Sequence, residues 1–505
     1  MGTETGAPQP GAAEGWRFWI DRGGTFTDVV ARPPGGGLRT LKLLSEDPAR
    51  YEDAAVEGVR RLLGLEAGEP VPAARIADVR MGTTVATNAL LERAGSPTLY
   101  VTTRGLGDAL RIGYQDRPDI FALDIRLPEP AYARVLEVDE RLGADGTVVR
   151  ALDEDGARRG LEEARRAGLD AVAIALIHGY AHPEHERRVA ELARVAGFSQ
   201  VSVSHETSPL MKLVGRGETT VVDAYLSPIL RRYVDGVAAQ LGDVRPRFMQ
   251  SHGGLTDARL FRGKDAILSG PAGGVVGAVA VSRRAGFDRV IGCDMGGTST
   301  DVSHYAGELE RSYESVVGGV RLRAPMLRVH TVAAGGGSIC AFEAGRYRVG
   351  PRSAGADPGP ACYGKGGPLT VTDCNLVTGK LRPAFFPRVF GPEGAAPLDE
   401  EAAREALAAV AASMRAAGVE PPPPEQLADD FVRVACEAMA RAIRRISTQR
   451  GHDVTGHALC CFGGAAGQHA CLVADALGMT QALLHPLAGV LSAYGMGLAD
   501  VRALR

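Results

Sequence analysis

The chain has 505 residues, of which 45% are hydrophobic and 23% charged, so it can bury a large core and is not a disordered chain. Its 57 Lys and Arg against 60 Asp and Glu leave a net charge of -3, which is no electrostatic footprint for nucleic acid. The best apolar run, Ala171 to Ile177, is far short of the ~20 residues that span a bilayer, so neither a nucleic-acid nor a membrane partner is expected.

The first residues, MGTETGAPQPGAAEG, carry no basic segment followed by an apolar one, so they read as a flexible tail over 1–16 and not as a secretory signal. All eight cysteines lie between Cys293 and Cys471, with no C-x-x-C pair. That excludes a zinc ribbon or disulfide framework and fits a reducing, cytoplasmic setting.

The elements then run in order. Arg17 to Ile20 is apolar-rich, Asp21 to Asp28 is a glycine turn, and Val29 to Ala31 is apolar again, which reads as a hairpin. Leu38 to Leu44 is a third strand. Ala54 to Leu65 has helical spacing, with Ala55, Val56, Val59, Leu62 and Leu63 on one side. Strands at Thr98–Thr102, Asp170–Ile177 and Gln200–Ser204 alternate with helices at Asp155–Ala167 and His185–Ala196. A long helix is expected over Thr219–Leu241, then a strand over Arg247–Gln250, a helix over Val275–Ala285 and a strand over Arg289–Cys293. Short alternating stretches after Asp301 suggest an antiparallel patch containing the turn Gly335-Gly336-Gly337. Helices at Glu400–Ala417 and Phe431–Arg450 flank a four-proline spacer, Pro421 to Pro424. Such alternation predicts an α/β protein.

The informative feature is an internal repeat. Asp21-Arg-Gly-Gly-Thr-Phe-Thr-Asp28 recurs as Asp294-Met-Gly-Gly-Thr-Ser-Thr-Asp301, with six of eight positions identical. Each copy follows an apolar strand and leads into another, which points to two related half-domains facing each other. Paired glycines let a ligand approach the backbone, and successive N–H groups in such a turn form an anion nest. Threonine hydroxyls add donors without charge. An aspartate at the strand end suits a hydrated Mg²⁺, which keeps several waters and takes one or two carboxylates. Two such turns could clamp a polyphosphate from opposite sides. A third glycine segment, Gly463-Gly464-Ala465-Ala466-Gly467, lies between the apolar run Ala458–Phe462 and a helix beginning near His469. Strand, Gly-Gly, helix is an arrangement that seats an adenosine against backbone.

The order hairpin, hairpin, Gly-Gly helix resembles the two-lobed actin, sugar kinase and heat-shock ATPase fold, with duplicated half-domains. More closely, the chain resembles the hydantoinase A and 5-oxoprolinase family. The stretches that carry this are Ile20–Val30, Arg80-MGTTVATNALLER-Ala94, Leu268-SGPAGGVVGA-Val279, Asp294–His304, Thr331-VAAGGGSI-Cys340, Ala356-DPGPACYGKGGPLTVTD-Cys374 and Cys461-FGGAAGQHA-Cys471. Leu41–Gly64 looks most like the 5-oxoprolinase branch.

The resemblance implies ATP-driven opening of a cyclic amide, most closely 5-oxo-L-proline to L-glutamate in the glutathione cycle. The alternatives are the A-type polypeptide of an ATP-dependent hydantoin hydrolase and a truncated, non-catalytic nucleotide-binding protein. ATP and Mg²⁺ are the implied cofactors. Asp21 and Asp294 would hold the metal and, with Thr298, act catalytically. Gly23, Gly24, Thr25 and Thr27 would meet one side of the phosphates, and Gly296, Gly297, Thr298 and Thr300 the other. Gly463 and Gly464 would lie against adenosine. Thr83, Thr84 and Asn88 are substrate-pocket candidates, or else a helix N-cap with its neighbours.

Residues 17–215 are expected to form an N-terminal lobe and 216–505 an ATPase lobe truncated at its C-terminus. The implied partners are a small lactam or hydantoin, a B-type polypeptide or missing C-terminal region, and a second copy of the chain. Other polar groups read as structural. His182-Pro-Glu-His185-Glu186 is a helix start. His252 and His330 are packing histidines, Asp357 and Asp373 are turn carboxylates, and Cys362 has no base beside it.

Overall fold

The computed structural model describes residues 15–48, 50–66, 69–115, 120–386, 388, 390 and 396–502. The expected tail therefore lies almost wholly outside the described residues. Internal contacts divide the chain into two units. The first comprises 1–272, Arg311–Leu327 and 499–505, and the second Gly273–Glu310 and Arg328–Leu498.

Ten strands of the first unit, taken in chain order, make two sheets among the described residues. They are β1 (Trp16–Arg22), β2 (Phe26–Arg32), β3 (Arg39–Leu44), β4 (Ile76–Thr83), β5 (Thr98–Thr103), β6 (Arg134–Val138), β7 (Ala171–Ile174), β8 (Gln200–Val203), β9 (Arg247–Met249) and β10 (Leu255–Asp257). One sheet runs β10-β9-β4-β1-β2-β3, the other β8-β7-β5-β6. β5 and β7 are buried along their whole length, as parallel strands covered on both faces must be. The helix Ala54–Leu63 packs its apolar side on β2 and β3. It starts at Asp53, whose carboxylate accepts from the N–H groups of Ala55 and Val56 at 2.9 and 3.1 Å, and it stops at Gly64 in the left-handed region.

The second unit has one five-stranded sheet among its described residues. β11 (Arg289–Met295), β12 (Thr300–Ala306), β13 (Val329–Val332), β14 (Ala458–Phe462) and β15 (Gln481–Leu484) run in the order β13-β12-β11-β14-β15. β11 is antiparallel to β12 and β12 to β13, while β14 is parallel to β11 and β15 to β14. The first unit repeats this plan. β1, β2 and β3 are successively antiparallel, and β4 and β9 are successively parallel on the other side of β1. The repeat seen in eight residues is thus a repeat of whole sheets, the duplicated topology of the actin-like fold. Each unit has its own core, around Phe18, Phe248 and Leu226 in the first and around Phe431, Met439 and Leu459 in the second.

Three helices start earlier than the sequence pattern suggests: the one expected over Phe431–Arg450 runs over Pro424–Ile446, and in the other two, glycines dilute the helical signal. One is Leu213–Leu241, where a Cβ on Gly215 would stand 2.3 Å from Arg323 Cδ. The other is Ser269–Arg284. With the turn before it, it makes a stretch, Gly263–Arg284, long and apolar enough to cross a membrane, yet 67% of that stretch's apolar 18-residue window is buried inside the protein, as in a core helix. Pro424 is the first residue of the helix Pro424–Ile446, so only the preceding prolines act as spacer.

Candidate nucleotide site

In the first unit, Asp21 faces Asp28 across the β1–β2 pair, and Gly23 N–H closes the turn onto the Phe26 carbonyl at 3.0 Å. Gly24 and Thr25 are exposed at its tip. Thr27 is fully buried, and its hydroxyl meets Ser45 Oγ at 3.0 Å, while Ser45 in turn donates to the Gly23 carbonyl at 2.7 Å. The second threonine of the motif therefore braces the turn from inside.

Asp21 is half-buried as a residue, but its Oδ1 is shielded and has no hydrogen-bond partner among the described residues. Burial first, and then the Asp28 carboxylate opposite, push its pKa up to about 7, against the pull of Lys42. Asp28 is itself raised by burial, although Lys42 pairs with it. An orphaned, shielded carboxylate oxygen beside an open glycine turn is a fitting ligand for a cation.

The structure brings the substrate-pocket candidates to this turn. β4 runs parallel to β1, with Gly82 beside Asp21 and Thr83 beside Arg22. Thr84 N–H donates to the Arg22 carbonyl at 3.0 Å, and its hydroxyl points to the same oxygen at 3.3 Å without capping the helix Val85–Leu91. A Cβ on Gly24 would lie 3.4 Å from Asn88 Nδ2. Sequence reasoning missed two neighbours. A Cβ on Gly270 would come 3.1 Å from Asp21 Oδ1, and Ser269 Oγ accepts from Thr83 N–H at 3.2 Å while donating to the Met249 carbonyl at 2.7 Å. The S-G-P stretch containing both carried the family resemblance but gave no chemical signal of its own.

The second unit repeats the arrangement. Asp294 faces Asp301 across β11–β12, and Gly296 N–H donates to the Ser299 carbonyl at 3.0 Å. Gly297 and Thr298 are exposed, whereas Thr300 is buried and bonds the Ala334 carbonyl. Asp301 is raised by burial and accepts from Thr331 Oγ1 at 2.6 Å.

Gly335–Gly337 is not a free turn. Its N–H groups at Gly336 and Gly337 donate to the Gly296 and Gly297 carbonyls at 3.0 and 2.6 Å, so it backs the hairpin. A Cβ on Gly335 would sit 2.6 Å from the Thr298 carbonyl carbon, which explains why glycine stands there.

Beside Asp294 in β14 stands Phe462, and Gly463 follows it. Gly463, at φ +85°, packs on Asp294 and Met295, whereas Gly464 is exposed with open space around its Cα. In register, Phe462-Gly463-Gly464 of the second unit therefore occupies the place of Gly82-Thr83-Thr84 in the first.

The weaker candidates are structural groups. Asp373 is fully buried and accepts from the N–H groups of Ala361, Cys362 and Thr370 and from the Thr370 hydroxyl. Asp357 is exposed, with Lys365 Nζ at 3.5 Å. Burial and Asp373 push the Cys362 thiol far up, which leaves it no nucleophile. His252 meets Gln250 Oε1 at 3.0 Å, and burial lowers both its pKa and that of His330. The helix Glu184–Val195 starts just after Pro183. In it, His185 pairs with Glu140 at 2.7 Å, and Glu186 binds Arg216 in the core.

An α/β protein with an acidic, glycine-rich hairpin at the same place in two matched sheets has the make-up of the actin-like fold. Comparison with known proteins makes this more specific. Residues 216–505 match the family described as Hydantoinase/oxoprolinase, and residues 17–197 match its N-terminal region. The chain belongs to the hydantoinase/oxoprolinase family. It is 46% identical to 5-oxoprolinase 1 of Arabidopsis thaliana over 96% of its own length and 41% of that protein's. It is 36% identical to the alpha chain of the caprolactamase of Pseudomonas jessenii, covering 96% of this chain and 70% of that one. The crystal structure of the ATP-dependent caprolactamase from the same organism superposes with a TM-score of 0.81 at 34% identity, over 96% of this chain and 71% of that one. The chain thus spans about two fifths of the length of the 5-oxoprolinases it matches.

Proposed function

We propose that this chain is the ATP-using part of a cyclic-amide hydrolase whose substrate is 5-oxo-L-proline. The observation that carries this is the repeated Asp-Gly-Gly-Thr hairpin, set at the same sheet position in both units with its second threonine buried and its glycine tip exposed. Identity to 5-oxoprolinases along nearly the whole chain supports the choice of substrate.

The chemistry follows from the substrate. A lactam carbonyl is a poor electrophile. Attack of its oxygen on the γ-phosphorus of ATP forms a C–O–P linkage and breaks the bond to the β-phosphate, releasing ADP. Water then adds to the activated carbon. The ring nitrogen takes up a proton and leaves that carbon, so the C–N bond breaks and the ring opens to an acyl phosphate, which a second water hydrolyses to the amino acid and phosphate. In the first step the protein's work is positioning and charge compensation.

The exposed tips at Gly24 and Thr25, and at Gly297 and Thr298, would donate to phosphate oxygens, with Gly23 and Gly296 closing the turns and letting the phosphates approach the backbone. Thr27 and Thr300 would hold those tips in shape from the inside. Gly464 would admit the adenosine, with Gly463 setting its place. Thr83, Thr84 and Asn88, beside the first hairpin, would line the lactam pocket. Asp21 and Asp294 would hold a hydrated Mg²⁺, which when bound neutralises phosphate charge.

Division of the work between two polypeptides is supported by the caprolactamase alpha chain, of which this chain covers 70%. On that reading the ring-opening step requires a B-type polypeptide.

The test is ATP turnover by the purified chain with a panel of lactams and hydantoins, with and without such a partner. Stimulation by 5-oxo-L-proline, with glutamate released only when the partner is present, is the expected result. Stimulation by hydantoin alone would favour the A-type polypeptide of a hydantoin hydrolase, and ATP binding without any stimulated turnover would favour a non-catalytic binding protein. Asp294→Asn is expected to lower ATP turnover about tenfold or more, and an unchanged rate would remove Asp294 from the site.

A further inference from the structure

At the end of the second unit's sheet remote from its glycine turn, three histidines and a glutamate converge. His304 lies near the end of β12, three residues past Asp301, and Glu310 follows in the next segment. His452 and His457 come from the segment that leads into β14. His304 Nδ1 is 2.6 Å from Glu310 Oε1, and His452 Nε2 is 3.9 Å from the same oxygen. One ligating atom from each of His304, Glu310 and His452 lies within 4.8 Å of the other two. The His304 and His452 rings stack with centroids 4.3 Å apart.

Two of the cluster's other polar atoms are already engaged in a way that leaves this centre free. Glu310 Oε2 is held by Arg450 Nη1 at 2.6 Å, so Oε1 alone faces the imidazoles. His304 Nε2 meets His457 Nε2 at 3.1 Å, which leaves Nδ1 as the nitrogen turned to the centre. A second group on the far nitrogen of a histidine is the usual means by which its ligating nitrogen is fixed and aimed. His304 and His457 are 5% and 3% exposed, whereas the His452 side chain is 39% exposed, so the centre is rigid on one side and open to water on the other.

We propose that His304 Nδ1, Glu310 Oε1 and His452 Nε2 form a binding site for one divalent transition-metal ion of the zinc type, with a fourth position open to solvent. Two imidazoles and one carboxylate suit zinc, cobalt or nickel better than magnesium. Tetrahedral zinc with bonds of about 2.0–2.1 Å sets its ligand atoms roughly 3.3 Å apart, and the pairs at 2.6 and 3.9 Å bracket that separation. Bound there, the ion ties β12 to the segment entering β14. It fastens the two strands whose far ends carry the phosphate-type hairpin and Gly463. This site is separate from the one proposed for Mg²⁺ and does not rest on the ATP-dependent reading.

The experiment is a Co²⁺ titration of the chelator-stripped full chain, read by visible d–d absorption. Saturation at one Co²⁺ per chain is expected, with displacement by equimolar Zn²⁺ and not by Mg²⁺. A rise in Tm on adding Zn²⁺ without nucleotide is also expected. H452Q, at a half-exposed position, and E310Q, which keeps an oxygen for Arg450, should each abolish the bands, while D294N should keep them. Absence of bands at equimolar Co²⁺, bands that persist in H452Q or E310Q, or displacement by Mg²⁺ would overturn the proposal. The Co²⁺ and Zn²⁺ readings on the unaltered chain decide it even if a variant fails to fold.

Discussion

A Cβ on Gly463 would stand 2.3 Å from Asp294 Oδ1 and 2.6 Å from the Met295 carbonyl oxygen. The glycine that follows β14 is therefore the support on which the second hairpin's aspartate rests. Its φ of +85° adds a backbone demand that an L side chain meets only at a cost of roughly 1–2 kcal/mol. Gly463→Ala is expected to lower Tm and to cut ATP turnover about tenfold or more, because it displaces Asp294. Gly464→Ala, with nothing within 4 Å of the new methyl, is expected to keep the wild-type Tm and to raise the KM for ATP. Equal Tm losses in the two variants would contradict this division of labour.

Asp21 gives a pH signature. Its folded pKa of about 7 lies above the ordinary 3.8, so between those values the folded chain holds a proton that the unfolded chain has released. The stability this group contributes is complete below about pH 4 and is lost as pH rises through about 7. Asp21→Asn mimics the protonated form. Its Tm without ligand should already exceed wild type at pH 5, by a margin that widens up to about pH 7 and then holds to pH 9. Mg²⁺-ATP affinity should rise through pH 7 in the wild type and stay flat in the variant. Thermal melts and binding titrations across pH 5–9 check both, and parallel profiles for the two proteins would remove Asp21 from the cation site.

Much of this is legible in the residues. The hairpins at Asp21 and Asp294, the strands on either side and the Gly-Gly segment at Gly463 are all local patterns, since strand, turn and acidic position lie within ten residues of each other. Positions defined by partners distant in sequence are not legible. Gly335–Gly337 reads as a turn and proves to be a brace for Gly296 and Gly297, because its partners lie about forty residues earlier. Gly270 and Ser269 reach Asp21 and Thr83 only through the packing of the sheet. The starts of the helices Leu213–Leu241 and Ser269–Arg284 are hidden for a related reason. Glycine there serves a close neighbour at the expense of local helix propensity.

In the sequence Glu186 reads only as part of a helix start, yet it anchors the first unit. Its carboxylate is 0% exposed and accepts from Leu176 N–H at 2.9 Å, His205 Nδ1 at 2.7 Å and Arg216 Nη1 at 3.1 Å. Arg216 Nη2 donates to the Leu176 carbonyl at 2.8 Å, and burial pulls the guanidinium pKa down. Breaking such a pair leaves a buried charge alone, which costs about 3–5 kcal/mol. Arg216→Met is expected to lose about that much in denaturant melts. Adding Glu186→Gln should recover part of the loss. A double variant no more stable than the single would show that the pair's charge is not what matters.

The small-residue helix Ser269–Arg284 makes a sharper demand within the second unit. A Cβ on Gly495 would fall 2.0 Å from the Gly273 carbonyl oxygen, and one on Gly277 would fall 2.7 Å from the Leu491 carbonyl oxygen. The helices Ser269–Arg284 and Leu491–Leu498 therefore cross with backbone against backbone, and Arg284 Nη1 donates to Tyr494 Oη at 2.9 Å further along the same helices. A methyl at either glycine has backbone as its neighbour and no flexible side chain to push aside. Overpacking of this kind costs typically about 1–3 kcal/mol, and more where backbone must move. Gly495→Ala is thus expected to lower the unfolding free energy by at least about 2 kcal/mol. Gly489→Ala, on the same segment with nothing within 4 Å, should be neutral. Urea melts of the two variants side by side give the comparison, and a neutral Gly495→Ala would mean that the helices do not approach this closely in solution.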